Sequence, residues 1–193
     1  EVSVPETKFV QRGPLLITHW GFSGPAILKL SAWGARAMYD KSYHFPLAIN
    51  WLPALGRDQL HHQLIKTKTA HPKKAVAAWA PVTFPSRLWR SLMVAHGIHE
   101  KMQWAALSEN TVDSLTTMLQ SSSFEVTDKS LFKEEFVTCG GVSLKEVDFR
   151  TMESKCCKGL YFAGEILDID GVTGGFNLQA AWTTGWIAGN AMG

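Results

Sequence analysis

The feature that most constrains this 193-residue chain is a change of hydrophobic period in its middle. From Leu52 to Ser123 apolar residues recur at helical spacing, as Leu60 and Leu64, then Leu88, Leu92, Ala95 and Met102, then Val112, Leu115 and Leu119. On both sides the pattern is extended. Before the block stand Leu15-Leu16-Ile17-Thr18 and a run from Tyr43 to Trp51 that closes at Pro53. After it come Phe124-Glu125-Val126 and the stretch from Glu134 to Val147, where Phe136, Val137 and Val142 flank Gly140-Gly141. Strand-like sequence on both flanks of a helical block reads most simply as a small helical domain inserted into a β-rich one.

Two further segments carry local structure of their own. Leu15 to Thr18 predicts a strand, followed by a tight turn through Gly21 and Ser23-Gly24-Pro25 and a helix from Ala26 to about Met38. Ser23 is placed to cap that helix and Pro25 to occupy its first turn, where a missing amide proton is no loss. Near the other end, Leu160-Tyr161-Phe162-Ala163 is a continuous apolar run, the pattern of a strand buried on both faces as in a parallel sheet. A Gly-rich loop follows, then a helix from about Phe176 to Met192 in which Ala181, Gly185, Ala188 and Gly189 allow close packing. One strand and one helix cannot make a doubly wound sheet, so the remaining strands are expected on residues outside this chain.

Bulk properties exclude more than they assign. With 46% hydrophobic and 19% charged residues the chain reads as soluble and globular, of one or two domains. A formal net charge of +2 gives no reason to expect nucleic acid or an anionic membrane as a partner. Cys139, Cys156 and Cys157 form neither a C-x-x-C nor a disulfide framework, which points to a reducing compartment. Residues Glu1 to Gln11 lack the regions of a secretory signal, and no apolar run approaches the roughly 20 residues of a bilayer span. The expected location is the cytoplasm or a reducing organelle, stroma or matrix, and the lack of an initiator Met suggests a start upstream, as in an excised fragment or equally a processed protein.

The chemistry concentrates near the C-terminus. Gly164 ends the predicted buried strand at its carboxyl edge, where open α/β sheets bind ligands, and Glu165 offers a carboxylate suited to ligand hydroxyls. Gly174 and Gly175 then let backbone approach a planar ring, and the first-turn amides of the last helix, from Phe176 and Asn177, carry the partial positive charge of a helix N-terminus. The competing reading is a Gly-rich loop that turns the chain beside a solvated Glu.

Longer motifs bear on that choice. The stretch from Phe136-Val137-Thr138-Cys139-Gly140-Gly141-Val142 through Thr151-Met152-Glu153-Ser154-Lys155 and Gly159-Leu160-Tyr161-Phe162-Ala163-Gly164-Glu165 to Asp170-Gly171-Val172-Thr173-Gly174-Gly175-Phe176-Asn177-Leu178-Gln179 resembles the C-terminal signature of a family of FAD flavoproteins, described as aminoacetone-oxidase-like or bile-acid-reductase-like. Thr18-His19-Trp20-Gly21-Phe22-Ser23-Gly24-Pro25 is similar to a second motif of that family, in the same order. The resemblance covers the ends of the chain, while the helical middle matches in type. It implies an α+β fold: a β-rich, barrel-like domain in two parts, residues 1–51 and 124–155, with an inserted helical domain at 52–123. Residues 156–193 would be the last strand and helix of an incomplete Rossmann-type FAD-binding domain. It further implies an FAD-dependent oxidoreductase with a small-molecule substrate, in which Glu165, after the cofactor-binding Gly164, lies near the ribityl chain and Gly174, Gly175, Phe176 and Asn177 at the isoalloxazine ring. The family's G-x-G-x-x-G turn, which holds the FAD pyrophosphate, occurs nowhere in residues 1–193. This chain alone is therefore expected to bind FAD weakly or not at all and to be inactive, its partner being the dinucleotide-binding segment that it lacks. The alternative is a non-catalytic, flavoprotein-derived module whose helical domain binds a macromolecule.

Other candidates carry less. His19, at a strand end before a helix, is a weak acid-base candidate against a structural histidine in a turn. Ser23 lacks the G-x-S-x-G context of a nucleophile. His61-His62 and the i, i+3 pair His96 and His99 raise a metal site but offer no third ligand, so no metal is expected. Lys66, Lys68, Lys73, Lys74, Arg87 and Arg90 make the helical block locally basic, by default a solvated face, with a phosphate or nucleic-acid contact as the alternative.

Overall fold

Most extended segments of this chain are too short to form a sheet alone, and the structure, a computed structural model, shows how they are gathered. It describes residues 1–129, 137–172 and 174–193. Glu134 and Phe136 of the expected extended stretch, and Thr173 of the terminal loop, lie outside them. In chain order the elements are β1 (Val2–Ser3), β2 (Val10–Gln11), β3 (Leu16–Ile17), β4 (Phe22–Ser23), α1 (Pro25–Asp40), β5 (Phe45–Ile49), α2 (Arg57–Ala70), α3 (Ser86–Ala95), α4 (Glu109–Gln120), β6 (Ser122–Val126), β7 (Val147–Asp148), β8 (Glu153–Ser154) and α5 (Phe176–Met192). The sheets are a four-stranded one ordered β2-β1-β5-β6 and two hairpins, β3-β4 and β7-β8. Among the described residues no sheet closes into a barrel and no doubly wound sheet forms.

The chain divides into two compact units, Glu1 with Ala48–Phe124 and Val2–Leu47 with Glu125–Gly193. The first holds α2, α3 and α4. Ser108 caps α4, its Oγ accepting from the Thr111 amide at 3.1 Å, and Glu109 follows in the first turn, where a negative charge meets the helix dipole favourably. At α2 the Gln59 side chain reaches back to accept from the Gly56 amide at 3.2 Å. The helices bury Leu60, Leu64, Trp89, Met93, Trp104 and Leu115 with their neighbours in one core. Trp89 is accommodated because its indole N–H donates to the Val76 carbonyl at 2.7 Å, so no buried donor is orphaned there.

In the second unit the β3-β4 hairpin turns at Thr18–Gly21, and α1 begins with Pro25 in its first turn as expected. The expected Ser23 cap is not formed. Ser23 is paired with Leu16 in the hairpin, and the N-cap position falls one residue later, at Gly24, with no side-chain capping bond. α1 packs on β1 and β2, and it buries Ala26, Leu30 and Met38.

The C-terminal part of this unit departs most from expectation. Leu160–Ala163 is not a strand buried on both faces: only Tyr161 bridges, antiparallel, to Glu153, and Leu160 and Ala163 are exposed. A two-faced strand needs a partner on each edge and cover on each face, and the described residues supply one edge partner. An isolated parallel bridge joins Val142 with Leu167. The final helix forms as expected but buries only Thr184 and Ala188 of its 17 residues. No helix among the described residues is long and apolar enough to cross a membrane.

Candidate functional site

Gly141 fixes the geometry of the C-terminal site. The Val142 amide donates to the Ile166 carbonyl at 2.8 Å, and the Asp168 amide donates to the Val142 carbonyl at 3.0 Å. This brings two backbones so close that a Cβ on Gly141 would stand 2.5 Å from the Ile166 oxygen, and φ is +142°. Only glycine fits both the space and the backbone region. The crossing seats Leu167 in a core with Val147, Met152 and Ala188, which holds the turn Gly164–Ile166 against α5. There the Gly164 amide donates to Thr184 Oγ1 at 2.9 Å, and Thr184 donates in turn to the Ala180 carbonyl at 2.7 Å. The buried hydroxyl is thus satisfied in both directions.

Thr151-Met152-Glu153-Ser154-Lys155 has a structural account. Met152 is buried with φ +64° at a tight turn, its amide donating to the Asp148 carbonyl at 2.6 Å. Glu153 accepts from the Gly159 amide at 2.7 Å, and Ser154 Oγ accepts from the amides of Cys156 and Cys157 at 3.1 Å each. Both polar side chains organise the loop from residue 155 to 159 and keep it closed on β8.

The helix end of the site is held by Asn177. Its Oδ1 accepts from the Gly171 amide at 2.7 Å and its Nδ2 donates to the Gly171 carbonyl at 2.9 Å, a two-bond clamp on the preceding loop. Gly175 caps α5 in the left-handed region, φ +91° and ψ −3°, and the space where its Cβ would stand is open. Gly174 has φ +126°. Phe176 and Glu165 are exposed. Gly164 meets α5 beside Ala181 and Thr184, about 10 Å along the helix axis from Asn177 at 1.5 Å per residue. The sequence-predicted residues therefore share one helix without converging on one point. Asn177 serves the loop with its side chain, and among the described residues no side chain caps the start of α5.

A charged cluster absent from the sequence expectations stands in the same unit. Arg36, from α1, pairs with Asp168 at 2.5 Å, and the neighbouring Asp168 charge raises the guanidinium pKa. The Cys139 thiol is pushed up from its usual range, first by its hydrogen bond to the Asp170 carboxylate, then by burial and by the Asp170 charge, with Arg36 opposing. Cys139 is therefore held as a protonated thiol rather than a nucleophilic thiolate. No short-range pattern joins Arg36 to Asp168, which are 132 positions apart. Thr184 was not read from the sequence either, although its spacing of four from Ala188 places it on the same face of α5.

The remaining candidates lie elsewhere. His19 stands exposed in the β3-β4 turn, which is closed by the Thr18 amide donating to the Gly21 carbonyl at 2.8 Å. His96 and His99 do not share a helix face, because α3 ends at Ala95. His96 Nε2 bonds Ser114 Oγ at 2.9 Å and His99 Nδ1 accepts from the Lys101 amide at 3.2 Å. His61 pairs with Asp113 at 3.1 Å. Among the described residues no group of three or more potential ligands is placed to hold a metal ion.

Residues 1–137 match a family described as HI0933-like protein barrel and H2TH domain. The chain is 31% identical over 185 residues to the ribosomal RNA dihydrouridine synthase of Escherichia coli (strain K12), covering 96% of this chain and 44% of the relative. It is 28% identical over 179 residues to the 3-dehydro-bile acid delta(4,6)-reductase of Clostridium scindens, covering 93% and 44%. Against the ribosomal RNA dihydrouridine synthase of Haemophilus influenzae it is 30% identical over 172 residues, covering 89% and 40%. It spans less than half the length of these curated relatives. Both kinds of relative are oxidoreductase-type enzymes, and the chain belongs to the HI0933-like family.

Proposed function

We propose that this chain supplies the flavin-ring side of the cofactor site of an FAD-dependent oxidoreductase, together with part of its substrate pocket. The observation that carries the reading is the start of α5. Two glycines with positive φ, open space at the Gly175 Cβ position and a helix start that no described side chain caps offer backbone to a planar ring. In this reading Gly174, Gly175, Phe176 and Asn177 line the ring, and Gly164 with exposed Glu165 serves the hydroxylated chain that leads away from it. The bound cofactor would supply the hydride chemistry. The protein's part is electrostatic: the helix N-terminus favours negative charge on the reduced ring and raises its potential.

The pyrophosphate half of the site would come from a segment carrying the G-x-G-x-x-G turn, in keeping with relatives more than twice as long. The domain assignment goes with this reading: a β-rich domain at 1–51 and 124–155, the helical insertion at 52–123, and 156–193 as part of the FAD-binding domain. The substrate is open between classes, since one kind of relative is named for ribosomal RNA and another for a bile acid. His19 remains a candidate acid-base group on that substrate side.

The test is an absorbance spectrum of the protein at the length of its relatives. A flavin spectrum bleached by dithionite is expected, with flavin occupancy reduced by Glu165→Ala. Unchanged occupancy would remove Glu165 from the site, and absence of flavin would remove the reading. The 193-residue chain by itself should bind FAD weakly, and stoichiometric tight binding would defeat that expectation.

A further inference from the structure

Two of the three cysteines, Cys156 and Cys157, are neighbours in sequence, and both are free and exposed. They stand on the loop between β8 and Tyr161, which is tied at both ends. The Ser154 amide donates to the Leu160 carbonyl at 2.7 Å, the Phe162 amide to the Met152 carbonyl at 3.0 Å and the Gly159 amide to the Glu153 carboxylate at 2.7 Å. Within the loop the Leu160 amide donates to the Cys157 carbonyl at 3.3 Å. The pair is thus carried at the tip of a fixed loop. Lys155 and Lys158 flank it, while the nearest carboxylate in sequence, that of Glu153, is engaged by Gly159.

Adjacent residues of an extended strand point to opposite faces. Here Ser154 Oγ accepts from the amides of both Cys156 and Cys157 at 3.1 Å each, as an N-cap serves the second and third residues of a helix, and the chain bends through residues 155–157. In a turn of that kind successive side chains stand about 100° apart, which brings the two thiols toward one side of the loop. They are too few for a structural zinc, which takes about four ligands, and among the described residues no group of three or more potential ligands is assembled. Cys139 is held by the Asp170 carboxylate. What two adjacent exposed thiols can do is exchange with a disulfide, one attacking and the other resolving.

We propose that Cys156 and Cys157 form a thiol–disulfide exchange site that small anionic disulfides such as glutathione disulfide oxidise to a vicinal disulfide. One thiol of the pair loses its proton to solvent, and the thiolate attacks a sulfur of the small disulfide, forming a mixed disulfide and releasing one glutathione. The second thiol loses its proton and attacks the protein-bound sulfur, closing the Cys156–Cys157 bond and releasing the other glutathione. The pair gives up two protons and two electrons, and the small disulfide takes them as two thiols. The bond so formed is strained, because adjacent Cα atoms lie about 3.8 Å apart across a trans peptide, short of the roughly 4.4–6.8 Å usual in disulfides. Strained, exposed disulfides are the labile ones, so excess reduced glutathione reopens it. The proposal needs no flavin, so it and the flavin reading can fail separately.

The test is intact-mass spectrometry of the 193-residue chain carrying Cys139→Ser, after incubation with glutathione disulfide and capping of remaining thiols with N-ethylmaleimide in denaturant. The expected product has lost two hydrogens, retains no glutathione and takes up no maleimide, and excess reduced glutathione returns it to a form that takes up two. Adding Cys156→Ser or Cys157→Ser should stop the reaction at the mixed disulfide, with one glutathione retained. Circular dichroism establishes that each variant is folded. In the parent chain, peptide mapping should place the new bond between Cys156 and Cys157, which keeps the test open if Cys139→Ser does not fold. Glutathione retained on the pair, two thiols still free for maleimide, disulfide-linked dimers as the main product, or a bond that reduced glutathione does not reopen would each overturn the proposal.

Discussion

The helical unit and the C-terminal helix are both rich in tryptophan, but they use it in opposite ways. Trp89 and Trp104 are sealed in the helical core, with Leu60, Leu64, Met93 and Leu115 around them. On α5, Trp182 and Trp186 are 72% and 71% exposed, and among the described residues the core that the helix joins through Ala188 buries only Val147, Met152 and Leu167 with it. Burial is what turns an aromatic residue into stability, so the two regions differ in how far they hold themselves together. The comparison predicts a large asymmetry under mutation. Trp89→Ala should cost about 3–5 kcal/mol, through lost transfer energy and the cavity left behind. Urea unfolding of the chain measures it, and a cost below about 1 kcal/mol would mean that the helical core is not the stable region.

The C-terminal region is held instead by backbone geometry, and Gly141 is its fixed point. Gly141→Ala places a methyl group 2.5 Å from the Ile166 carbonyl oxygen at φ +142°. Because the obstruction is backbone rather than a flexible side chain, the Val142–Leu167 crossing must open. The expected loss is about 3 kcal/mol, between the strain of one disallowed residue and the disruption of a packed turn. Hydrogen exchange would locate it: the amides of Val142 and Asp168 should lose protection while those of α2 and α4 keep theirs.

What was legible in the sequence follows the same division. The helices were readable from their own apolar periods and, at α1, from Pro25 at its start, whereas the Ser108 cap of α4 was not read. Pairing was not. Ser23 reads as a cap until Leu16 claims it for a hairpin, and Leu160–Ala163 reads as a two-faced strand until its neighbours are counted. A strand is defined by partners, which no local period reports. Of the candidate site, the glycines at 164, 174 and 175 announced themselves, whereas the Arg36–Asp168 pair joins residues 132 positions apart and left no pattern to read. The basic surface was half visible: the lysines could be counted, but not that Lys68 is spent on Leu107 or that Trp79 stands among the rest.

The smallest expected effect is the most discriminating. Trp182 and Trp186 are four residues apart and so lie on one face of α5. Being mostly exposed, each should change the stability of this 193-residue chain by less than about 0.5 kcal/mol when replaced by Ser. In the protein at the length of its relatives, the flavin reading has α5 covered by further sheet, and the same substitutions should then cost about 2 kcal/mol or more each, the scale of a large apolar side chain brought back to water. Paired urea titrations of the two forms give both numbers. Equal, small effects in both would mean that α5 stays solvent-facing in the longer protein, which breaks its assignment to the FAD-binding domain. A large effect in the short chain would mean that the tryptophans are buried already, and the contrast between the two regions would fall.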